Sequence, residues 1–498
     1  MIDFKTLQSN PLVSYTTLKP KSITNPINLS QKETQIFDLF KEIIKENNLE
    51  NIELRVVGGW VRDHLLNVSC NDLDITIKGI DPNIFAQLIN EKVNKNKNHI
   101  KIIPLKTSNG VEINLAKIII YDVMIDFVEL KENAFQDSIR RDFTFNTLFY
   151  NILENKIEDL LKMGISDLKN GLIRSCATTI QKIDYDSFHI LRMLRFATKY
   201  QYIIDDKYLS DIEQNKALFQ NDLLNKTSKE KIKKEMYLIF SCQNPSFAIY
   251  SLYKLDLLKY VLQIKPDCKS KNKNILTEKD ILNCVNIFIV GKKVFDKYQS
   301  YFEAENYNDN YKCAFYSILL TIHLRNFTDF STTLANIILS KTLKLDSKWP
   351  LKIIHFFDDF NNFITKNEYD KLNVGLLLRK ILVRNISYMI FVSASCEYVM
   401  KINSNNVLDK LDNNILEKVF LKYYEFYKYM KKENLENVDE MKPIIDGKRL
   451  KKEYPGIPLK YIGEIINILI SKQIEINNFS EEDAMNVIKS KIEELKKI

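Results

Sequence analysis

Cysteine is sparse and scattered. The seven thiols, at 70, 176, 242, 268, 284, 313 and 396, never fall in a CxxC spacing, which argues against a disulfide framework and against a zinc ribbon. Histidine is sparser still, five in 498 residues with no HxxxH pair, so most imidazole metal sites are excluded and any metal should rest on carboxylates. No apolar run reaches bilayer length; a stretch such as Ile386 to Cys396 fits a buried helix. The opening Met1-Ile2-Asp3-Phe4-Lys5 has neither the charged-then-apolar pattern of a secretory signal nor the arginines of a transit peptide. These absences set the expectation of a protein of the cell interior, in cytoplasm, nucleus or organelle, with no membrane partner.

What is present is the balance of a folded protein: 45% hydrophobic and 27% charged residues, with a length that suggests about three domains. Lys plus Arg exceed Asp plus Glu by 72 to 64, an excess that suits a polyanionic partner without proving one. Residues 1–30 carry Pro11, Pro20 and Pro26 and read as an irregular lead-in. Ser30 and Glu33, before Ile36, Phe37, Phe40 and Ile43, predict a capped amphipathic helix. A strand at Leu54 to Val57, the pair Gly58-Gly59 and a helical stretch Trp60 to Leu66 follow. Leu73, Ile75 and Ile77 alternate with Asp72, Asp74 and Thr76, the period of a half-buried strand. A second strand is expected through Ile118 to Val128, and helix from Arg140 onward, with polar seams at 94–98, 269–274 and 303–310.

Only eleven glycines occur, so two in succession between strand and helix are informative. Without Cβ atoms, Gly58 and Gly59 let backbone N–H groups converge on an anion, and Arg62 adds a full positive charge; an ordinary tight turn is the plainer alternative. Asp72 and Asp74, two apart on a strand, present both carboxylates to one point while Leu73 faces the core. Such hard oxygen donors suit Mg²⁺ or Mn²⁺. Asp126 offers a third carboxylate that an adjacent strand could bring beside them. Arg140-Arg141-Asp142-Phe143-Thr144-Phe145-Asn146 reads as a helix start, with two arginines able to fork onto phosphates and Asp142 and Asn146 on one face.

In order, Val57-Gly58-Gly59-Trp60-Val61-Arg62-Asp63, Asp72-Leu73-Asp74, the Arg140 to Asn146 motif and Asp167-Leu168-Lys169-Asn170-Gly171-Leu172-Ile173-Arg174 resemble the motifs of class II tRNA nucleotidyltransferases, the CCA-adding enzyme and poly(A) polymerase family. The likeness continues through Asp186 to Phe196 and Ser228 to Met236, and Lys442 to Lys448 resembles the eukaryotic branch. The resemblance implies an α+β fold: a polymerase-beta-like head with a mixed sheet over 31–150, a helical neck that recognises the base over 151–245, and a helical body and tail over 246–498 that bind the tRNA acceptor stem. It also implies Mg²⁺-dependent addition of C, C and A from CTP and ATP to the tRNA 3′ end. On the same ground Asp72 and Asp74 hold metal, and Asp126 joins them in catalysis. Gly58, Gly59, Arg62, Asp63, Arg141, Asp142 and Asn146 then bind the nucleotide, with Asp186, His189, Arg192 and Arg195 on the base side.

Two departures from the family pattern stand out. His189 occupies a position where the family has Arg; it either offers one donor to the base or packs, with Arg192 compensating. Only Phe127 to Ile139 separates the third-carboxylate strand from Arg140, and Asn114-Leu115-Ala116-Lys117 replaces Glu-Thr-Ala-Thr. Relatives with such a shortening add C and C alone, so a CC-adding enzyme that needs a separate A-adding partner is open. A poly(A) polymerase and a catalytically inactive RNA-binding relative are open too, the last opposed by retention of both Asp72 and Asp74.

Overall fold

A computed structural model describes Asn10 and residues 27–68, 70, 72–94, 103–104, 115–176, 187–264, 275–302, 308–327, 348–367, 369–381, 385–402, 407 and 411–496. The expectations placed on Asp186, Asn114, the three prolines of the lead-in and most of the polar seams lie outside the described residues. The chain divides into two compact units, Met1–Leu257 and Leu258–Ile498.

In the first unit, Ser30 Oγ accepts from the Glu33 N–H while the Glu33 carboxylate accepts from the Ser30 N–H, the capping box that opens α1 (Gln31–Glu46). Ile36, Phe37, Phe40 and Ile43 then fall on one buried face. Seven strands build one mixed sheet: β1 (Glu53–Val57), β2 (Asp72–Lys78), β3 (Ile103–Pro104), β4 (Leu115–Ile120), β5 (Val123–Glu129), β6 (Phe149–Asn151) and β7 (Lys156–Glu158). Their order is β3-β4-β5-β2-β1-β6-β7, and β2 with β5 is its parallel pair. Helices α2 (Gly59–Leu65), α3 (Pro82–Asn94) and α4 (Ala134–Arg140) connect them. Phe40 meets Phe85 of α3 and Phe127 of β5 at ring centroids 5.7 and 5.5 Å apart, so α1, α3 and β5 share one aromatic core.

Three sequence expectations are corrected here. The stretch Ile118 to Val128 is a hairpin, not one strand: Tyr121 and Asp122 both take left-handed backbone, φ 51° and 64°, the geometry of a two-residue primed turn. The Arg140 motif does not open a helix. It closes one, since Arg141 is extended at ψ 164° and Thr144–Asn146 forms a single 3₁₀ turn. The chain then returns to the sheet, because Asn151 Oδ1 accepts from the Leu153 and Glu154 N–H groups and Asn155 adopts φ 52°, folding β6 onto β7. The sheet therefore runs past residue 150 to Glu158.

The rest of this unit is helical apart from the short parallel pair β8 (Leu172–Ile173) and β9 (Ile203–Ile204). Its helices are α5 (Gly164–Asn170), α6 (Phe188–Tyr200), α7 (Asp206–Gln214), α8 (Lys216–Asn225), α9 (Lys229–Phe240) and α10 (Ser246–Lys254), with α9 and α10 packed on α6. In the second unit α11 (Glu278–Tyr298) packs on α12 (Asp309–Thr321) and on α14 (Ile386–Ile402), which in turn packs on α15 (Asn413–Lys432). Helix α13 (Lys371–Lys380) lies against α17 (Leu459–Glu475), which also meets α16 (Gly447–Glu453) and α18 (Glu481–Lys496). Ile445, Leu450, Ile465 and Ile488 fill the core of those last three helices. No described helix is long and apolar enough to cross a membrane.

Candidate active site

The period of β2 places the acids. Leu73, Ile75 and Ile77 are buried, while Asp72 and Asp74 are exposed on the other face. Parallel pairing sets Asp74 opposite Asp126, and antiparallel pairing sets Asp126 opposite Lys117. The Lys117 ammonium lies 3.1 Å from Asp126 Oδ2; the other oxygen of Asp126 is buried without a hydrogen-bond partner. Desolvation, then repulsion from Asp126 and from Asp72, pushes the Asp74 carboxyl above its ordinary range, against the pull of Arg141 and Lys117.

The diglycine lies at the end of β1. Gly58 adopts φ 70° and ψ −122°, a conformation that strains any side chain, and a Cβ there would stand 3.4 Å from Arg141 Nη1. The positive φ is what calls for glycine here, and the Arg141 guanidinium lies within contact distance of the turn. Arg141 also donates from Nε and Nη2 to Asp137 Oδ2, at 3.0 and 2.7 Å.

Arg62 and Asp63, expected at the nucleotide, are placed inside the protein instead. Arg62 donates to Asp63 Oδ1 (2.8 Å) and to Asn146 Oδ1 (2.6 Å), and its guanidinium lies over the rings of Phe196 and Tyr200. The Tyr200 hydroxyl donates to Asp63 Oδ1 at 2.8 Å. The pair ties α2, the 3₁₀ turn and α6 together.

Asp142 is the hub of the adjoining helical part. Its Oδ1 accepts from the Phe143 N–H and from Asn146 Nδ2, and its Oδ2 accepts from Arg192 Nε and Nη2 at 2.9 and 2.5 Å. Burial acts to raise this carboxyl, but the Arg192 charge and the hydrogen bonds more than offset it and hold Asp142 below its ordinary range. Arg192 lies 4.0 Å from Glu235, and Arg195 donates to Glu235 at 2.5 Å while lying over Phe196. His189 is half-buried near the start of α6.

The structure thus sets Asp74 opposite Asp126, with Asp72 on the same strand and the Arg141 charge acting on Asp74, and links Arg62, Asp63, Asn146, Asp142, Arg192 and Arg195 through contacts to one another and to shared neighbours. Sequence reasoning missed four partners: Lys117, Asp137, Tyr200 and Glu235. Asp137 was findable, standing one helical turn before Arg141. The other three are 9, 137 and 40 residues from the residues they bind, at Asp126, Asp63 and Arg195, distances over which no periodicity carries a signal.

The chain is similar to known proteins over most of its length. Residues 54–174 match the poly A polymerase head domain. The mitochondrial CCA tRNA nucleotidyltransferase of Candida glabrata is 26% identical over 93% of this chain and 96% of its own length. The tRNA nucleotidyltransferase cca2 of Schizosaccharomyces pombe is also 26% identical, over 93% of this chain and 98% of its own. Among solved structures, a CCA-adding enzyme complexed with CTP has the same fold, with a TM-score of 0.61 at 18% identity over 93% of this chain and 96% of that one.

Proposed function

We infer from its place among the class II tRNA nucleotidyltransferases, the CCA-adding enzymes with a poly A polymerase head, that this chain extends the 3′ end of tRNA with cytidine and adenosine nucleotides from CTP and ATP, releasing pyrophosphate. The observation that carries the reading is the acidic row on interior strands of the sheet: Asp74 faces Asp126 across adjoining strands, with Asp72 on the same face, and Arg141 lies against the Gly58 turn at the end of β1.

A divalent cation fits this face. Asp126 keeps a buried oxygen without a partner, and the raised Asp74 carboxyl is opposed by two like charges that a cation would relieve. Among the described residues no three metal-binding side chains converge, so Asp72 and Asp74 are the ligands we assign, with Mg²⁺ or Mn²⁺ the natural match to hard oxygens. When bound, the ion supplies activation of the attacking 3′ hydroxyl and neutralisation of the leaving pyrophosphate. The chain itself supplies position. Arg141, released from Asp137, has a planar fork that can span two phosphate oxygens. Asp142 and Arg192, now satisfying each other, are the donor and acceptor edges available to a base or ribose. The exposed lysines of α15, Lys418 and Lys432, offer phosphate contacts to tRNA that read no sequence.

The test is direct. Purified protein given a tRNA without its tail should incorporate C from CTP, and A once C-C is present. A second reading, addition of C-C alone with a separate enzyme adding A, is favoured by the compact link between β5 and α4, only residues 130–133. With both nucleotides present, a product ending in CC supports that second reading and one ending in CCA removes it. Long A tails on unstructured RNA would instead mark a poly(A) polymerase.

A further inference from the structure

The third carboxylate of the acidic face is answered by a cation of the protein's own. Lys117 of β4, Asp126 of β5 and Asp74 of β2 form one lateral row, since antiparallel register joins the first two and parallel register the last two. Residues opposite one another in a sheet project from the same face, so the three side chains compete in one space. The Lys117 and Asp126 side chains are 24% and 27% exposed, and their charged atoms lie 3.1 Å apart. Partial burial of this kind makes an ion pair stronger than one fully in water. It also uses one Asp126 oxygen while the other stays buried and unpartnered.

Resting on the metal-dependent reading above, we propose that Lys117 is a positioning residue whose ammonium competes with a divalent cation for Asp126. With the amine in place Asp126 is drawn toward β4, in keeping with the absence of a three-ligand cluster among the described residues. A cation on Asp72 and Asp74 gains the third carboxylate by displacing the amine, which has solvent beside it to enter. Lys117 thereby offsets one of the three carboxylate charges on this face and weakens metal binding until the substrate's own phosphates add ligands. A plain cross-strand pair would stabilise the β4–β5 hairpin and do nothing else.

The two roles separate in a binding measurement on the full chain. Mn²⁺ titrations without nucleotide, followed by the electron paramagnetic resonance of the free ion, would compare wild type with Lys117→Met, Lys117→Gln, Lys117→Arg and Asp126→Asn. Lys117→Met should bind Mn²⁺ about fivefold more tightly, the order expected from losing a half-exposed competing pair, and Lys117→Arg should stay near wild type. In an Asp126→Asn background the Lys117→Met effect should vanish. Should Lys117→Met fail to melt cooperatively, Lys117→Gln supplies the same comparison. Binding that depends on Asp74 yet is indifferent to removing the Lys117 charge overturns this proposal alone. Binding that is absent, or unchanged in Asp74→Asn, overturns the metal reading with it.

Discussion

Asp74 and Asp142 are the same residue type in one compact unit, and their surroundings have made them opposites. Asp74 stands among carboxylates: desolvation, Asp126 and Asp72 push it up, and the pull of Arg141 and Lys117 does not offset them. Asp142 is the more enclosed of the two, yet it is held low because Arg192 forks onto it and Asn146 and the Phe143 N–H fill the other oxygen. The difference teaches how to tell a carboxylate crowded by like charge from one paired with a cation. Burial alone does not decide it, since burial raises both; the charge standing opposite does.

Removing the acids of each kind should therefore break different properties. Asp74→Asn or Asp72→Ala should lower CTP incorporation by about a thousandfold, the several kcal/mol of transition-state stabilisation a metal supplies, while the thermal melting midpoint stays near wild type because these side chains are exposed. Loss of structure together with activity would collapse the contrast. Asp142→Asn should instead cost folding stability, on the order of 2–3 kcal/mol, because the Arg192 charge is left without its partner. Its pH dependence follows from the sign of the shift. The folded-state value is depressed, so this stabilisation is complete above the unfolded carboxylate range and disappears as pH falls below it. Urea unfolding of wild type and Asp142→Asn should converge in acid; a constant gap down to pH ~3 would break the assignment.

The half of this contrast that lies on β2 was legible in the sequence, because strand period is local: Asp72 and Asp74 had to share a face once Leu73, Ile75 and Ile77 faced the core. The capping box at Ser30 was legible for the same reason. Asp142 was read as a helix-start residue free for ligand, and its engagement by Arg192, 50 residues on, carries no local pattern. The Tyr121–Asp122 turn was missed because it has neither Gly nor Pro, and the flanking β-branched residues look continuous. Burial of Arg62 was hidden by the expectation that a charge after a diglycine serves an anion, whereas Asp63, Asn146 and two aromatic rings were waiting for it.

A smaller effect of the Asp142 kind is expected at Glu33. Burial works to raise it, but hydrogen bonds from His64, the Ser30 backbone and side chain and the Trp60 indole bring it to about 2. Glu33→Gln should cost about 1–2 kcal/mol near neutral pH, measured by urea unfolding. The folded value is again the depressed one, so the gap should be full above pH 4.5 and close as pH falls toward 2. An undiminished gap at the acid end would mean that packing of the Trp60 indole, and not the carboxylate charge, accounts for the loss.

The same distinction between engaged and available charge should hold for lysines in the second unit, with the smallest effects. Lys422 donates to Glu397 at 2.8 Å, and Glu397 also accepts from the Tyr423 hydroxyl, so this lysine belongs to a half-buried network. Lys418 and Lys432, on the same helix, are exposed. If tRNA lies along this face, Lys418→Ala or Lys432→Ala should each weaken binding less than about threefold and lower the salt slope by roughly one, with melting unchanged. Lys422→Ala should do the reverse, lowering the melting midpoint while leaving the salt slope alone, because its charge is already spoken for by Glu397. Filter binding across a salt series separates the cases. Equal slopes for all three variants would mean that a partner on the protein does not keep a lysine from the phosphate backbone.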